Sequence, residues 1–401
     1  MRSLGLVSGG LDLGSLAYSG IGRAALGILR SYGANAHLYL PGVGNINGIA
    51  AGNYLDSAGA TAATVDNPVG LSLDALQAMT AVEKVINGDN EAALITGAAA
   101  INGTVVRDAA PGGGFAAKTT CSGGNAAHHV VVQMEANKAY QISVRVYVPT
   151  GSLNTAQLFD ANDGSWFGDS TTAKNSWVTI TGNRLTSKAS TWFLGIGDSN
   201  SSSIDGQIFY VDDLSIKEIP GIHATQATTA NKPILRQSGG KYSWQFDGSN
   251  DYLALSAPLF QMSDDHCVIA GFNAAVANKY LFSQANSGTV SQLCSLRVDV
   301  TGFPGVVWID DAVANTLLYG TVSCIGINTV ASAIKIGNAK RFRVNGMQSG
   351  ATDNTVLGTT TLNTYSIGSL NGASSNFQGS IYPVIAIKGT LSDSDLLVLE
   401  R

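Results

Sequence analysis

The chain has 401 residues, 45% of them hydrophobic and only 13% charged, where an ordinary globular domain carries about 25% charged residues. Its net charge of −5, with no basic run, excludes a nucleic-acid binder built on clustered Lys and Arg. Ample apolar content with little charge excludes intrinsic disorder, and the length predicts two or three domains. No stretch reaches the roughly 18 apolar residues of a membrane span, so membrane insertion is not expected. The start, Met1 to Gly10, has no unbroken apolar run before Asp12, unlike a secretory signal. The chain is therefore expected to be made and assembled in a cytoplasm. Cys121, Cys267, Cys294 and Cys324 are scattered without CxxC spacing and read as free buried thiols.

Residues 1 to about 70 are rich in Gly, Ala, Leu and Asn. Leu4, Leu6, Leu11, Leu13, Leu16, Ile21, Leu26, Ile28 and Leu29 are many apolar side chains for so Gly-rich a segment to hide alone, so burial against other subunits is expected. Gly20-Ile21-Gly22-Arg23-Ala24-Ala25 fits a dinucleotide fingerprint nominally, but no acidic residue occurs between Asp12 and Asp56, where that fingerprint needs one about 20 positions on. Leu73, Leu76, Met79, Val82, Val85 and Ile86 recur about every third residue before Asn87-Gly88, which predicts a helix near 72–87. Gly103 to Gly124, with Pro111-Gly112-Gly113-Gly114, reads as loop-rich.

Beyond residue 95 the period becomes two. Tyr140, Ile142, Val144, Val146 and Val148 alternate with Gln141, Ser143, Arg145 and Tyr147, as a half-buried strand requires. Val130–Met134, Trp177–Thr181, Trp192–Ile196 and Phe209–Ile216 are further strands, with Asp163-Gly164 as a hairpin-type turn. After Pro220, strands are expected at Tyr242–Phe246, His266–Phe272 and Ile381–Lys388. Asn345-Gly346 forms a two-residue hairpin, and Ser392 with Asp395 opens a closing helix as a capping box. Short strands separated by turns, without helices between them, predict antiparallel sandwiches. The chain thus reads as mainly β: an N-terminal assembly segment over 1–94, a sandwich over 95–219 and a second over 220–401.

Two resemblances carry function. The run Ala139 to Val148, then Ser176-Trp177-Val178-Thr179-Ile180-Thr181, then Phe209-Tyr210-Val211-Asp212-Asp213-Leu214-Ser215-Ile216 resembles the carbohydrate-binding-module jelly roll of many glycosidases. The second unit, with Trp244 to Gly248, Asp251-Tyr252-Leu253, Val344-Asn345-Gly346 and Gly379-Ser380-Ile381, is similar to the laminin-G-like, concanavalin-like jelly roll. Gln226 to Pro233, Gly52 to Ser57 and Val65 to Gly70 resemble segments of bacteriophage tail-fibre-type proteins. The resemblance implies a virion protein, a homotrimer anchored to other virion proteins through residues 1–70. Its lectin-like domains would attach to host-surface polysaccharide. The two jelly-roll resemblances imply a structural role or a structural calcium for Asp212 and Asp213 and a cation site for Asp247 and Asp251, although a tight turn explains the latter two.

The residues themselves point to no catalysis. Retaining glycosidases need two carboxylates about 5 to 5.5 Å apart, and the pairs here are Asp160/Asp163, Asp212/Asp213 and Asp310/Asp311. Neighbours along a strand face opposite sides, which keeps the last two pairs, and His128-His129 as metal ligands, from converging. An aromatic side chain beside a turn can stack on a sugar, and Trp166, with Asp163 of the preceding turn, is the glycan-binding candidate; core packing is the competing role for Trp166, as it is for Trp308. Three functions follow: a non-enzymatic fibre that binds host glycan, a decoration protein that binds none, and a component of a glycan-degrading enzyme.

Overall fold

The computed structural model describes residues 23–42, 45–46, 49–50, 52–59, 61–77, 82–122, 127–134, 138–160, 165–185, 190–198, 205–287, 289–310, 315–358, 360–372 and 374–400. It is mainly β and antiparallel, as the two-residue period predicts, and divides into two compact units. One unit comprises residues 58–61 and 80–220, the other residues 1–57, 62–79 and 221–401.

The first unit is a sandwich of a five-stranded and a six-stranded sheet. The five-stranded sheet runs in the order Ser165–Thr171, Ala156–Asp160, Ser190–Asp198, Ala127–Met134 and Ala98–Ile101. The other orders Trp177–Leu185, Ala139–Tyr147, Ile208–Ile219, Phe115–Cys121 and Gly103–Ala109, with Val82–Glu83 added beside Ile208–Ile219. Between them lie Tyr140, Ile142, Val144, Val146, Leu158, Phe167, Phe209 and Val211. The segment expected to be loop-rich is a hairpin, Gly103–Ala109 against Phe115–Cys121. Gly112, Gly113 and Gly114 make its turn at φ of 98°, 111° and 76°, where a side chain would be strained.

The second unit packs an eight-stranded sheet on a nine-stranded one around Trp244, Phe246, Phe272, Phe282, Trp308 and Phe342. Asn345 and Gly346, at φ of 49° and 79°, close the hairpin between Ala339–Val344 and Met347–Gln348. Ser392 caps the helix Asp393–Leu399 by accepting the Asp395 N–H at 3.1 Å and donating to its carboxylate at 2.7 Å. All four cysteines are free and buried.

The N-terminal segment differs from expectation. Ala36–Tyr39 pairs with Gln378–Lys388, and Leu71–Ser72 pairs with Ala224–Thr225, so these residues complete the second unit's sheets. The segment 82–95 belongs instead with the first unit. A helix does form, at Arg23–Ser31 rather than near 72–87. Its Ala25, Leu26 and Leu29 are buried with Leu38, Leu40, Ile385, Ile387, Leu396 and Leu399 of the same chain, which corrects the expectation that Leu26 and Leu29 need another subunit. Leu4 to Ile21 lie outside the described residues.

Among the described residues of 72–87 the predicted α-helix does not form: Leu71–Ser72 and Val82–Glu83 are strands with a turn at 75–76, and residues 78–81, Met79 among them, lie outside the described residues. Competing polar bonds explain why. The Asp74 carboxylate accepts the Leu38 N–H at 3.1 Å and pairs with His37 Nδ1 at 2.6 Å, both buried. Gln77 donates to the carbonyls of Gly33 and Ala36 at 2.7 and 2.8 Å. Leu73 and Leu76 are buried as the apolar side of that connector, and their spacing mimics a helix. Among the described residues no helix is long and apolar enough to cross a membrane.

Candidate functional site

Alternation along Ala156–Asp160 turns Ala156, Leu158 and Asp160 into the first unit's core and leaves Gln157 and Phe159 half-buried. Across the hairpin Phe159 stands opposite Trp166, and on its other side opposite Gly195, whose next partner is His129. One register row therefore runs Trp166, Phe159, Gly195, His129. The Phe159 and Trp166 rings lie with centroids 4.6 Å apart, tilted by 43°. Beside this pair Gly195 contributes no side chain to the row.

The hairpin that carries the two rings is pinned from beneath. Arg184 pairs with the fully buried Asp160 at 2.8 Å and donates to Ser165 Oγ at 2.9 Å. Its guanidinium also lies 5.4 Å from the Phe167 ring centroid. Asp160 is thus committed to an ion pair, and Trp166 lies in sequence between Ser165 and Phe167, both of which Arg184 also touches.

The indole N–H groups separate Trp166 from Trp177, Trp244 and Trp308. Trp177 donates to the Pro111 carbonyl at 2.8 Å, Trp244 to Asn53 Oδ1 at 2.9 Å and Trp308 to His266 Nε2 at 3.0 Å. Among the described residues the half-buried Trp166 has no such acceptor. Trp308, the other aromatic weighed as a platform, is fully buried and belongs to the core.

A second outward row on the six-stranded sheet runs Trp177, Tyr147, Tyr210, Lys118. Tyr147 lies 5.6 Å from Trp177 and 6.0 Å from Tyr210, with the latter rings edge to face. Arg145 covers Trp177 at 4.8 Å and Lys118 pairs with Asp108 at 2.8 Å. These rings satisfy one another.

Asp212 and Asp213 do not point apart as strict alternation requires. A bulge between Ser143 and Arg145, with Asp213 at φ 47°, brings both carboxylates to Arg145, at 3.9 and 2.8 Å. Burial pushes the Asp212 carboxyl up from its ordinary value, against the Asp213 N–H and Asn90, which pull it down.

In the second unit Asp247 accepts the N–H groups of Ser249 and Asn250 at 2.8 and 3.3 Å. Asp251 accepts the Asp247 N–H at 2.9 Å, and burial raises its pKa to about 6. Four carboxylates already committed to a guanidinium or to backbone N–H groups do not fit a calcium site. Among the described residues no three His, Cys, Asp or Glu side chains form a metal-binding group. Asp163 and Asp311 lie outside the described residues, and the buried Asp310 accepts the Gly358 N–H.

Phe159 was missed from sequence, although the alternation of Leu158 with Gln157 and Phe159 carries the signal. No protein-family model and no curated protein matches the chain. Among solved structures, part of the chain is similar to the IT-sialidase CBM40 of Ruminococcus gnavus bound to alpha2,6 sialyllactose. The identity is 15%, over 34% of this chain and 84% of that one, with a TM-score of 0.30. Part is similar to domain 4 of AbnA, a GH43 extracellular arabinanase from Geobacillus stearothermophilus, in complex with arabinotriose; here the identity is 14%, over 42% and 81% of the two chains, with a TM-score of 0.34. A heptameric SAP-like pentraxin from Limulus polyphemus is 17% identical over 34% of this chain and 69% of its own, with a TM-score of 0.29.

Proposed function

We propose that the chain is a non-enzymatic glycan-binding protein that holds a pyranose ring against Trp166. The observation that carries this reading is a half-buried tryptophan on an outward sheet face whose indole N–H has no acceptor among the described residues. An indole N–H that the protein does not bond can donate to a ligand, as Trp and Tyr at interfaces do. The C–H face of a sugar would lie on the indole while the N–H donates to a ring or hydroxyl oxygen. Phe159 widens the platform. The Arg184–Asp160 pair fixes the hairpin in advance, which lowers the ordering cost of binding.

The finer reading places these domains on a bacteriophage particle, attached through residues 1–70 and bound to host-surface polysaccharide. It rests on the tail-fibre-like segments Gly52 to Ser57 and Val65 to Gly70. A homotrimer would present three weak sites together, and multivalency raises avidity by roughly 10² to 10⁴ without new contacts.

The test is adsorption of the wild-type chain and of Trp166→Ala to host cells, with thermal unfolding alongside. Lost adsorption with unchanged unfolding supports the reading. Unchanged adsorption overturns the Trp166 site, and turnover of polysaccharide by the purified chain overturns the non-enzymatic assignment.

A further inference from the structure

The outward face of the nine-stranded sheet carries a second arrangement, in the other unit and independent of Trp166. Tyr280, Arg297, Gly305 and Tyr319 form one register row across four adjacent strands. A Cβ on Gly305 would lie 2.3 Å from the Tyr319 ring, so that ring occupies the space above the glycine. Arg297 donates from Nη2 to the Tyr319 hydroxyl at 2.6 Å and from Nη1 to the Tyr280 hydroxyl at 3.3 Å. Its Cζ lies 5.6 and 5.8 Å from the two ring centroids.

Arg297 differs from the other buried or half-buried arginines. Arg184 pairs with Asp160, Arg343 with Glu400, Arg145 with Asp213 and Arg341 with Asp393, and Arg107 donates to the carbonyls of Asn90 and Glu91. Among the described residues Arg297 has no carboxylate within ion-pair distance, and its Nε–H is buried without an acceptor. The charge of Asp299 reaches it, but the Asp299 oxygens are taken by the Thr301 and Phe303 N–H groups and the Thr301 hydroxyl. A guanidinium stays charged at any physiological pH, and a half-buried one without a counter-ion is costly.

The surroundings are polar and also incompletely bonded. Ser295, two residues before Arg297 and on the same face, is 1% exposed with an unpartnered hydroxyl. The segment bonded to Tyr280 through the Ser375 carbonyl holds Asn376, whose Oδ1 has no donor, and five residues earlier Asn371 with its Oδ1 likewise unpaired. Leu317, one row along from Tyr319, is 47% exposed.

We propose that this face binds an acidic saccharide, a pyranose bearing a carboxylate, with the acid on Arg297 and the sugar ring against Tyr319. An arginine fork gives a carboxylate both charge and direction. Aromatic rings and unpaired amide and hydroxyl groups suit a sugar's C–H face and hydroxyls, whereas a bare anion needs neither.

The experiment is calorimetric titration of the full chain with a panel of uronic and nonulosonic acid oligosaccharides, each beside its neutral methyl ester. Inorganic phosphate serves as the bare-anion control. The acids are expected to bind and their esters to bind roughly tenfold more weakly or worse, as loss of a charge-assisted hydrogen bond requires. Arg297→Gln should weaken the acids by a similar factor and Trp166→Ala should leave them unchanged, so this site and the Trp166 platform fail separately. If Arg297→Gln unfolds the chain, Arg297→Lys keeps the charge, loses the fork and should still weaken binding. Equal binding of acid and ester, unaltered binding by the Arg297 variants, phosphate binding as tight as the sugars, or no binding across the panel would each overturn the proposal.

Discussion

Trp308 donates its indole N–H to His266 Nε2 at 3.0 Å inside the core of the second unit. His266 in turn gives its Nδ1–H to the Asp264 carbonyl at 2.9 Å and stacks on Phe260 at 3.9 Å. Only the neutral imidazole satisfies both bonds. Burial lowers its pKa from 6.5 to about 3, against the Asp264 carbonyl, which raises it.

That shift sets a pH dependence. Between pH 6.5 and about 3 the unfolded chain takes up a proton that the folded one refuses, so this contribution to stability is full above 6.5 and falls with pH below it. The total is on the order of 5 kcal/mol. His266→Gln keeps an acceptor for Trp308 but cannot titrate. Urea midpoints measured from pH 7 down to 4 should fall less steeply for this variant than for the wild type; parallel slopes would contradict the assignment.

Asp251 has the opposite sign. Its raised pKa means that the folded chain holds an extra proton between pH 3.8 and about 6. Stability from this group is greatest below 3.8 and declines as pH rises through 6. Asp251→Asn keeps an oxygen for the Asp247 N–H and removes the buried charge. At pH 7 it should stabilise the chain by roughly 1–3 kcal/mol, with no gain at pH 4. Destabilisation at pH 7 would show that the carboxylate charge is used.

Arg343 and Glu400 tie the closing helix to the sheet. Arg343 Nε reaches both carboxylate oxygens at 2.9 and 3.0 Å, and Nη2 reaches Oε2 at 2.9 Å. Glu400 is 1% exposed, so Arg343→Met strands a buried carboxylate and should cost roughly 3–5 kcal/mol. The double variant Arg343→Met with Glu400→Leu should recover much of that loss. Denaturant unfolding of the three chains checks both, and a single-variant loss under about 1 kcal/mol would contradict the pairing.

Local signals were legible in the sequence and long-range ones were not. The alternation from Tyr140 to Val148, the Asn345-Gly346 turn and the Ser392 cap each depend on a few adjacent residues, and each forms as read. The apolar spacing from Leu73 to Ile86 misled because Asp74 and Gln77 bond to residues some 40 positions away. The bulge that sends Asp212 and Asp213 to one guanidinium is set by pairing with Ser143 and Arg145, which no spacing within 212–213 reveals. Trp166 stood out beside its turn, but that its N–H has no acceptor among the described residues depends on residues from other strands. The row Tyr280, Arg297, Gly305, Tyr319 needs three successive registers, and none can be read from a single strand.

The most direct measurement follows the indole N–H resonances of the full chain by nuclear magnetic resonance while host-surface polysaccharide is added. Trp166→Phe identifies the Trp166 signal. The account predicts that this resonance moves at saturation, while those of Trp177, Trp244 and Trp308, already bonded within the protein, stay in place. Saturable binding that leaves the Trp166 signal where it was would contradict the claim that this residue holds the sugar.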